Sequence, residues 1–257
     1  MTHTVGLGID IADPDLIKWS AALGHTESIL SFTLDGFNTP LKFTPGQGWY
    51  YGTATDWAGK LLEILNGLPI SQYMEESIFK PLGIRDTSFK IPTGEEDAQG
   101  ENFAPCSYRN PETSELTTGP APVPLDNPPM ESGGAGLLST AADHARVLQA
   151  LLYDSVSSHE DEGPRLVSKT TVDEMFRPQL SDVQRQMLAS VTALYPDAMI
   201  PDFPRPPGII PLDYGIGGII NTIDVPGKRK KGTMKWTGMC NGHWVGCLIL
   251  EDYFDSN

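Results

Sequence analysis

The sequence has few cysteines, no long apolar run and no leader-like N-terminus. Its three cysteines, Cys106, Cys240 and Cys247, lack Cys-x-x-Cys spacing, which argues against a disulfide framework or a structural zinc site and favours a reducing compartment. No apolar run reaches the roughly 18 residues that a membrane-spanning helix needs. The N-terminus lacks the basic and apolar regions of a signal peptide. We therefore expect a cytoplasmic protein without a membrane anchor.

Basic residues are also scarce. The 257 residues include 18 Lys and Arg against 33 Asp and Glu, which gives a formal net charge of −15. A surface of this sign repels phosphate backbones and anionic lipid headgroups. We therefore expect no nucleic-acid partner and no attachment to membranes through a basic face. The five histidines show no spacing that predicts a metal site.

Glycine and proline, in contrast, are plentiful. The chain contains 26 Gly and 22 Pro, grouped in stretches that predict long loops. Apolar patterns predict a helical region over 14–90, a loop excursion over 92–131, helices over 132–180 and antiparallel strands over 214–250. Helices followed by strands, without alternation of the two, favour an α+β fold in which helices pack on one antiparallel sheet. We expect a single domain over 1–257.

Five phrases occur along the chain in an order that is familiar from a known family. They are Thr2–Leu7, Phe43–Gly52 with Asp56–Gly59, Ile78–Phe89, Ser132–Asp143 and Trp236–Trp244. Together they resemble the superfamily of serine β-lactamases, penicillin-binding proteins and family VIII esterases, and most closely its fungal transesterases. The resemblance implies a β-lactamase/transpeptidase-like fold and serine acyl-enzyme chemistry. We expect no cofactor.

The chemistry of this family needs three elements. A Ser-x-x-Lys helix start supplies the nucleophile and a lysine on the same face. A tyrosine on a loop takes the proton of the serine. A strand with Lys-Thr-Gly, or Trp-x-Gly in this branch, lines the acyl site. Because a free phenol has a pKa of about 10, the tyrosine acts as a base only where nearby cations lower that pKa.

The resemblance assigns the base to Tyr51, which follows Gly46 at the spacing of the family. Gly52 and Thr53 stand where the lactamases have Ser-Asn, so this sequence departs from their pattern at the next two positions. Tyr50 is the competing candidate if the register of the motif differs by one residue. The alternative interpretation of Tyr51 is an ordinary loop aromatic at the edge of the core.

The third element matches Trp236-Thr-Gly238. Gly238 would let a substrate carbonyl approach the strand, and Trp236 stands in place of the lysine of the lactamases. Lys235 is an alternative if the motif is an expanded Lys-Thr-Gly, and a plain buried strand with a glycine bulge is another. Trp49 and Trp244 are predicted to line an apolar acyl pocket, although aromatics of this kind are as often part of a core.

The sequence does not contain the nucleophile motif at the position that the resemblance implies. The resemblance puts Ser-x-x-Lys upstream of the turn at His3, whereas the one such string in the sequence is Ser77–Lys80. That string lies in a segment that matches a structural part of the family, and we interpret it as coincidence. The resemblance therefore implies a β-lactamase-like domain that is incomplete at both ends.

The implied activity is acyl transfer or ester hydrolysis. The donor would be an ester or thioester, and the acceptor would be water or the hydroxyl of a fungal secondary metabolite. Because nucleophilic catalysis does not survive loss of the nucleophile, the alternatives are an inactive ligand-binding or interaction module and a gene remnant. An incomplete sheet and the apolar face of a helix over 54–66 also predict self-association, through the exposed sheet edge or through that face.

Overall fold

The computed structural model describes residues 1–91, 103–156, 166–200, 211–238 and 242–246. Most of the helices precede the main sheet along the chain, as the α+β prediction requires. The helices are α1 (Pro14–Leu23), α2 (Leu34–Phe37), α3 (Ala54–Asn66), α4 (Ile70–Met74), α5 (Lys80–Leu82), α6 (Ala141–Val156), α7 (Lys169–Met175), α8 (Asp182–Leu194) and α9 (Pro196–Met199). A 3₁₀ turn covers Ile29–Ser31, and a π-helical turn over Glu75–Phe79 joins α4 to α5.

The strands form two antiparallel sheets. They are β1 (Cys106–Arg109), β2 (Leu116–Gly119), β3 (Leu212–Tyr214), β4 (Ile219–Asn221), β5 (Met234–Thr237) and β6 (His243–Gly246). The first two form a hairpin inside the predicted loop excursion, and the others form one sheet in the order β3-β4-β5-β6. Residues 92–102 of the predicted excursion and 247–250 of the predicted strands lie outside the described residues, as do Cys240 and Cys247.

Two helices show how local signals set the boundaries. The predicted helix over 54–66 is confirmed as α3, which ends where Gly67 adopts a φ of 69° and donates its N–H to the carbonyl of Glu63. Helix α8 was not predicted from its apolar pattern. It begins with a capping box in which the side chains of Ser181 and Gln184 each bond the backbone of the other residue. This Ser-x-x-Gln box is the sequence feature that predicts the start of a helix here.

The pairing of β5 changes along its length. Strand β4 pairs with β5 through Ile219–Lys235 and Ile220–Met234. On its other side β5 pairs with β6 as far as Thr237, which is opposite His243. The end of β5 that carries the Trp-Thr-Gly motif therefore continues beyond its last pair with β4.

The core cluster lies between α8, α9 and this sheet. Its buried members are Trp49, Leu180, Leu188, Met199, Ile200, Leu212, Tyr214, Ile219 and Val225. Tyr51 and Trp236 are partly buried and pack against its margin. The hydrophobic core thus extends directly to two of the residues that the motifs single out.

A fully buried carboxylate joins β3 to the turn before α8. Asp213 Oδ1 accepts the N–H groups of Gln179 at 2.9 Å, Leu180 at 3.0 Å and Tyr214 at 2.7 Å. Its Oδ2 accepts a hydrogen bond from the Arg185 guanidinium at 3.1 Å. One side chain therefore satisfies three backbone donors and one cation, and several of these groups would be left without a partner if it were removed.

We predict that Asp213→Ala lowers the free energy of unfolding by at least about 3 kcal/mol, because buried N–H groups lose a charged acceptor. The control is Asp182→Ala, which removes the exposed partner of the same Arg185 and should cost no more than about 1 kcal/mol. Urea unfolding at neutral pH measures both. Equal losses in the two variants would contradict this account.

His3 belongs to the interior. Its side chain is 3% exposed, and its ring lies 4.8 Å from that of Tyr51, 5.4 Å from that of Tyr214 and 6.1 Å from those of Trp49 and Trp236. Burial, together with the positive charge of the N-terminal ammonium, lowers the pKa of the imidazole to about 3. The folded chain therefore holds His3 neutral.

This burial predicts a loss of stability in acid. In the unfolded chain the imidazole has its ordinary pKa of about 6.5, so between pH 6.5 and pH 3 the unfolded state binds the extra proton. The contribution of His3 to the free energy of unfolding should therefore fall as the pH drops through that window, by up to about 1.4 kcal/mol per pH unit. It should stay constant above the window.

His3→Phe keeps a ring in the core and removes the titration. Urea unfolding of both proteins at pH 7.5, 6.0 and 5.0 measures the effect, and the wild-type chain should lose more stability than the variant over this range. Two parallel curves would show that His3 is accessible to protons in the folded chain.

The outer face of α3 carries three exposed apolar side chains. Leu61, Ile64 and Leu65 are 56%, 69% and 73% exposed, and their i, i+3, i+4 spacing makes them neighbours on the helix. We predict that the chain self-associates through this face and that the Ile64→Lys, Leu65→Lys double variant associates less, as measured by sedimentation velocity. Val183→Lys, at a 57% exposed position on α8, is the control. A monodisperse wild-type monomer would contradict the prediction.

Candidate functional site

Backbone hydrogen bonds join the N-terminal turn to the loop that precedes α3. The N–H of Gly46 donates to the carbonyl of Thr4 at 2.8 Å, and the N–H of Tyr50 donates to the carbonyl of His3 at 3.0 Å. The first two motif phrases, which are separated along the sequence, are therefore adjacent in space.

Close packing at this junction explains one departure from the lactamase pattern. A Cβ at Gly52 would lie 2.4 Å from the Leu7 carbonyl oxygen, a distance that real side chains do not adopt. The serine that lactamases carry at this position would therefore clash with the N-terminal turn. Only glycine lets the two segments approach this closely.

The structure brings Tyr51 together with Trp236. Their ring centroids are 5.0 Å apart, and Trp236 in turn lies 5.5 Å from Tyr214 and stacks on His3 at 6.1 Å. We call the five rings that such contacts link together the aromatic cluster; its members are His3, Trp49, Tyr51, Tyr214 and Trp236. The loop tyrosine and the strand that carries Trp-Thr-Gly are therefore in contact.

The electrostatic environment of Tyr51 does not favour ionisation. Burial raises the pKa of its phenol, the nearby carboxylate of Asp56 raises it further, and the indole N–H of Trp236 opposes the shift only in part. Asp56 is itself buried and accepts hydrogen bonds from the Ser132 hydroxyl at 2.5 Å and the Gly134 N–H at 3.0 Å. In this arrangement Tyr51 is protonated at neutral pH, and a cation beside it would be needed to make it a base.

Tyr50 faces a different environment. Its hydroxyl donates a 2.6 Å hydrogen bond to Asp13 Oδ2, and burial, with the charge and hydrogen bond of Asp13, raises the pKa of this phenol strongly. Neighbouring residues of an extended segment point in opposite directions, and the ring that contacts Trp236 is that of Tyr51. The geometry therefore favours Tyr51 over Tyr50 as the tyrosine of the site.

The four predicted substrate-binding residues differ in how far they are exposed. Trp49 is completely buried in the core cluster, which favours its interpretation as a core residue that supports the aromatic cluster. Gly238 is exposed, and its N–H donates to the Gly242 carbonyl at 2.8 Å. Among the residues that the structure describes, the nearest atom to the position of a Cβ on Gly238, its chain neighbours aside, is the Gly242 carbonyl oxygen at 4.0 Å.

Trp244 lies on β6, the strand next to the one that carries Trp236. It is opposite Trp236 in the β5–β6 ladder and is half-buried. Its ring centroid is 6.4 Å from that of His144 on α6. A Cβ on Gly218 would lie 3.1 Å from this indole. Trp244 therefore forms a wall between the sheet and α6.

The alternative candidates lie away from the aromatic cluster. The side chain of Lys235 lies on the side of β5 opposite to Trp236, because successive strand residues alternate. Burial, and to a smaller extent the positive charges of Arg229 and Lys228, lowers the pKa of its ammonium to about 8. Ser77 is exposed in the π-helical turn, and Lys80 is 65% exposed beside Glu75.

Reasoning from the sequence missed three contributors to the site. His3 lies in the first motif phrase, Thr2–Leu7, and its place there was the signal that could have pointed to the cluster. Tyr214 gave no local signal, and its ring meets those of His3 and Trp236 only through packing between distant segments. Asp56 opens the motif phrase Asp56–Gly59, but nothing in the sequence places its carboxylate near Tyr51.

Other site types have little support in the part of the chain described. No group of His, Cys, Asp and Glu within these ranges could hold a metal ion. No described helix is both long and apolar enough to cross a membrane. A surface depression of about 560 Å³ beside Arg185 and Lys231 contains none of the predicted site residues, and its arginine is occupied by Asp182 and Asp213.

Comparison with known proteins identifies relatives over nearly the whole chain. Lovastatin esterase from Penicillium rubens is 30% identical over 251 residues, which cover 95% of this chain and 59% of that protein. Monacolin J acid methylbutanoyltransferase from Aspergillus terreus is 31% identical over 252 residues, which cover 95% of this chain and 57% of that protein. The chain thus spans less than two thirds of the length of either relative.

The fold has a close counterpart among solved structures. Unliganded simvastatin synthase from Aspergillus terreus superposes with a TM-score of 0.79 at 29% identity, over 96% of this chain and 59% of that one. This match confirms the predicted α+β, β-lactamase/transpeptidase-like fold. The β-lactamase family model matches residues 1–239. The order of the five motif phrases, the fold and this match together show that the chain belongs to the β-lactamase family.

Proposed function

We propose that this chain carries the base and part of the acyl-site wall of an enzyme that transfers or hydrolyses acyl esters through a serine acyl-enzyme. The contact between Tyr51 and Trp236, with ring centroids 5.0 Å apart, is the observation that carries the proposal. It joins the loop tyrosine to the strand motif, as this chemistry requires. The names of the relatives, an esterase of lovastatin and an acyltransferase of monacolin J acid, support an ester of a fungal secondary metabolite as the substrate class.

The proposed reaction needs a serine and a lysine beside Tyr51. A lysine ammonium near the phenol would offset the burial and the Asp56 charge that raise its pKa. The Tyr51 phenolate then takes the serine proton while the serine oxygen bonds to the ester carbonyl carbon, and it returns that proton to the departing alkoxide. Water or an acceptor alcohol releases the acyl group by the same steps in reverse.

The proposed substrate contacts follow from the walls of the site. The exposed edge at Gly238 leaves room for the reacting carbonyl, and the indoles of Trp236 and Trp244 offer apolar surface for an acyl chain. The partners would thus be a small ester or thioester donor and an alcohol acceptor. A cytoplasmic location is part of the same proposal, in keeping with the lack of cysteine pairs at disulfide or metal spacing.

The test joins the chain, at its N-terminus, to a segment that carries the Ser-x-x-Lys element of a relative. The 257-residue chain alone should show no labelling by a fluorophosphonate, whereas the fusion protein should be labelled once per molecule and should hydrolyse p-nitrophenyl butyrate. Intact-mass spectrometry measures the label. A label on Ser77 of the chain alone would show that the Ser77–Lys80 string is the nucleophile motif after all.

In the active fusion protein, Tyr51→Phe should lower kcat by ~10²–10⁴-fold, because the variant keeps the ring and loses the general base. Tyr214→Phe is the matched control, since Tyr214 is a buried phenol that also contacts Trp236, and it should retain most of the activity. The reverse order of effects would assign the base to Tyr214. Full activity in both variants would refute a tyrosine base in this cluster.

One observation favours a second candidate function. Burial and Asp56 keep Tyr51 protonated in the chain as described, which suits an inactive module that holds an apolar ester without cleaving it. Such a module would bind p-nitrophenyl butyrate, detected by tryptophan fluorescence, and Trp244→Ala would weaken that binding while the ester stays intact. Absence of binding by the chain would remove this candidate.

A further inference from the structure

The loop that carries Tyr51 is held from the opposite side by its neighbour. Tyr51 packs on His3 and Trp236, while Tyr50 turns away toward Asp13 at the start of α1. Adjacent residues of an extended segment share one peptide unit, so a restraint on one side chain limits the position of the other.

Two hydrogen bonds fix Tyr50, one at its backbone N–H and one at its hydroxyl. Its N–H donates to the His3 carbonyl at 3.0 Å, and its hydroxyl donates to Asp13 Oδ2 at 2.6 Å. The ring lies against Gly8, where a Cβ would approach its Cε1 to 3.4 Å. A tyrosine tied at its backbone and at its hydroxyl has little freedom to rotate or to shift along the loop.

The acceptor for this phenol is itself immobilised. Asp13 is 4% exposed, and its Oδ1 accepts the N–H groups of Asp15 and Leu16 as the N-cap of α1, each at 3.0 Å. The Lys42 ammonium bonds the same oxygen at 2.9 Å and Asp15 at 2.7 Å. The two carboxylate oxygens of Asp13 thus have different partners. Oδ1 accepts from the first turn of α1 and from Lys42, and Oδ2 accepts from Tyr50.

His3 links this anchor to the aromatic cluster. Its carbonyl accepts the Tyr50 N–H, while its ring packs on Tyr51 at a centroid distance of 4.8 Å. We propose that Tyr50, held by Asp13 and Lys42, is a positioning residue that sets the place of the Tyr51 phenol against Trp236. This inference rests on the proposed role of Tyr51 as the base.

The test compares native-state spectra of variants of the chain. With ¹³C-labelled tyrosine and histidine rings, Tyr50→Phe should move the Tyr51 and His3 ring signals by more than their linewidths. The matched control is Tyr108→Phe, which removes a phenol hydrogen bond of the same 2.6 Å length, to the Pro120 carbonyl in the β1–β2 hairpin. This control should leave both signals in place.

A second variant separates positioning from simple loss of stability. Asp13→Ser keeps a capping oxygen for α1 but is too short to reach the Tyr50 hydroxyl, so it should displace the same two signals. A merely structural role would lower the melting temperature and leave the native signals unchanged. Unchanged Tyr51 and His3 signals in either folded variant would overturn the proposal.

An activity measurement distinguishes this inference from the proposed function. In the Ser-x-x-Lys fusion protein, Tyr50→Phe should lower kcat by about tenfold with KM unchanged, because the base is displaced but still present. If Tyr51→Phe leaves activity intact, the proposed base is wrong, while the ring signals still decide whether Tyr50 positions Tyr51. An unchanged kcat in Tyr50→Phe, with Tyr51→Phe inactive, would overturn the positioning role alone.

Discussion

The hydrogen bond from the Tyr50 N–H to the His3 carbonyl joins the two segments on which the site depends. It places the N-terminal turn beside the loop before α3, at a separation that requires glycine at position 52. The His3 ring then enters the interior and contacts the other four members of the aromatic cluster. A site made of distant segments is thus held together by a short run of backbone contacts at the start of the chain.

The packing that forms the aromatic cluster opposes ionisation of Tyr51. The packing that brings Tyr51 to Trp236 also buries the phenol and sets it near the Asp56 carboxylate, and both effects raise its pKa. Acyl transfer by a tyrosine base needs the opposite shift. In the proposed reaction, the described residues around Tyr51 therefore fix the position of its phenol but do not lower its pKa, and a cation beside the phenol is needed for it to act as a base.

The sequence could predict those parts of the structure that local caps and apolar patterns determine. The end of α3 at Gly67 and the α+β class followed from caps and apolar patterns, and the capping box of Ser181 and Gln184 would have revealed α8. Proximity of Tyr51 to Trp236 was expected only through family resemblance, since no periodicity relates a loop to a distant strand. The burial of His3 and the influence of Asp56 could not be predicted, because both depend on tertiary packing.

We propose that Tyr51 becomes a base only when a cation lies beside its phenol. The most direct measurement is the pKa of its phenol, followed by the ¹³Cζ signal of labelled tyrosine as the pH is raised, in the chain alone and in the Ser-x-x-Lys fusion protein. We expect a pKa above the ordinary value of about 10 in the chain alone and below it in the fusion protein. A pKa that stays above 10 in a fusion protein that turns over ester would contradict this proposal.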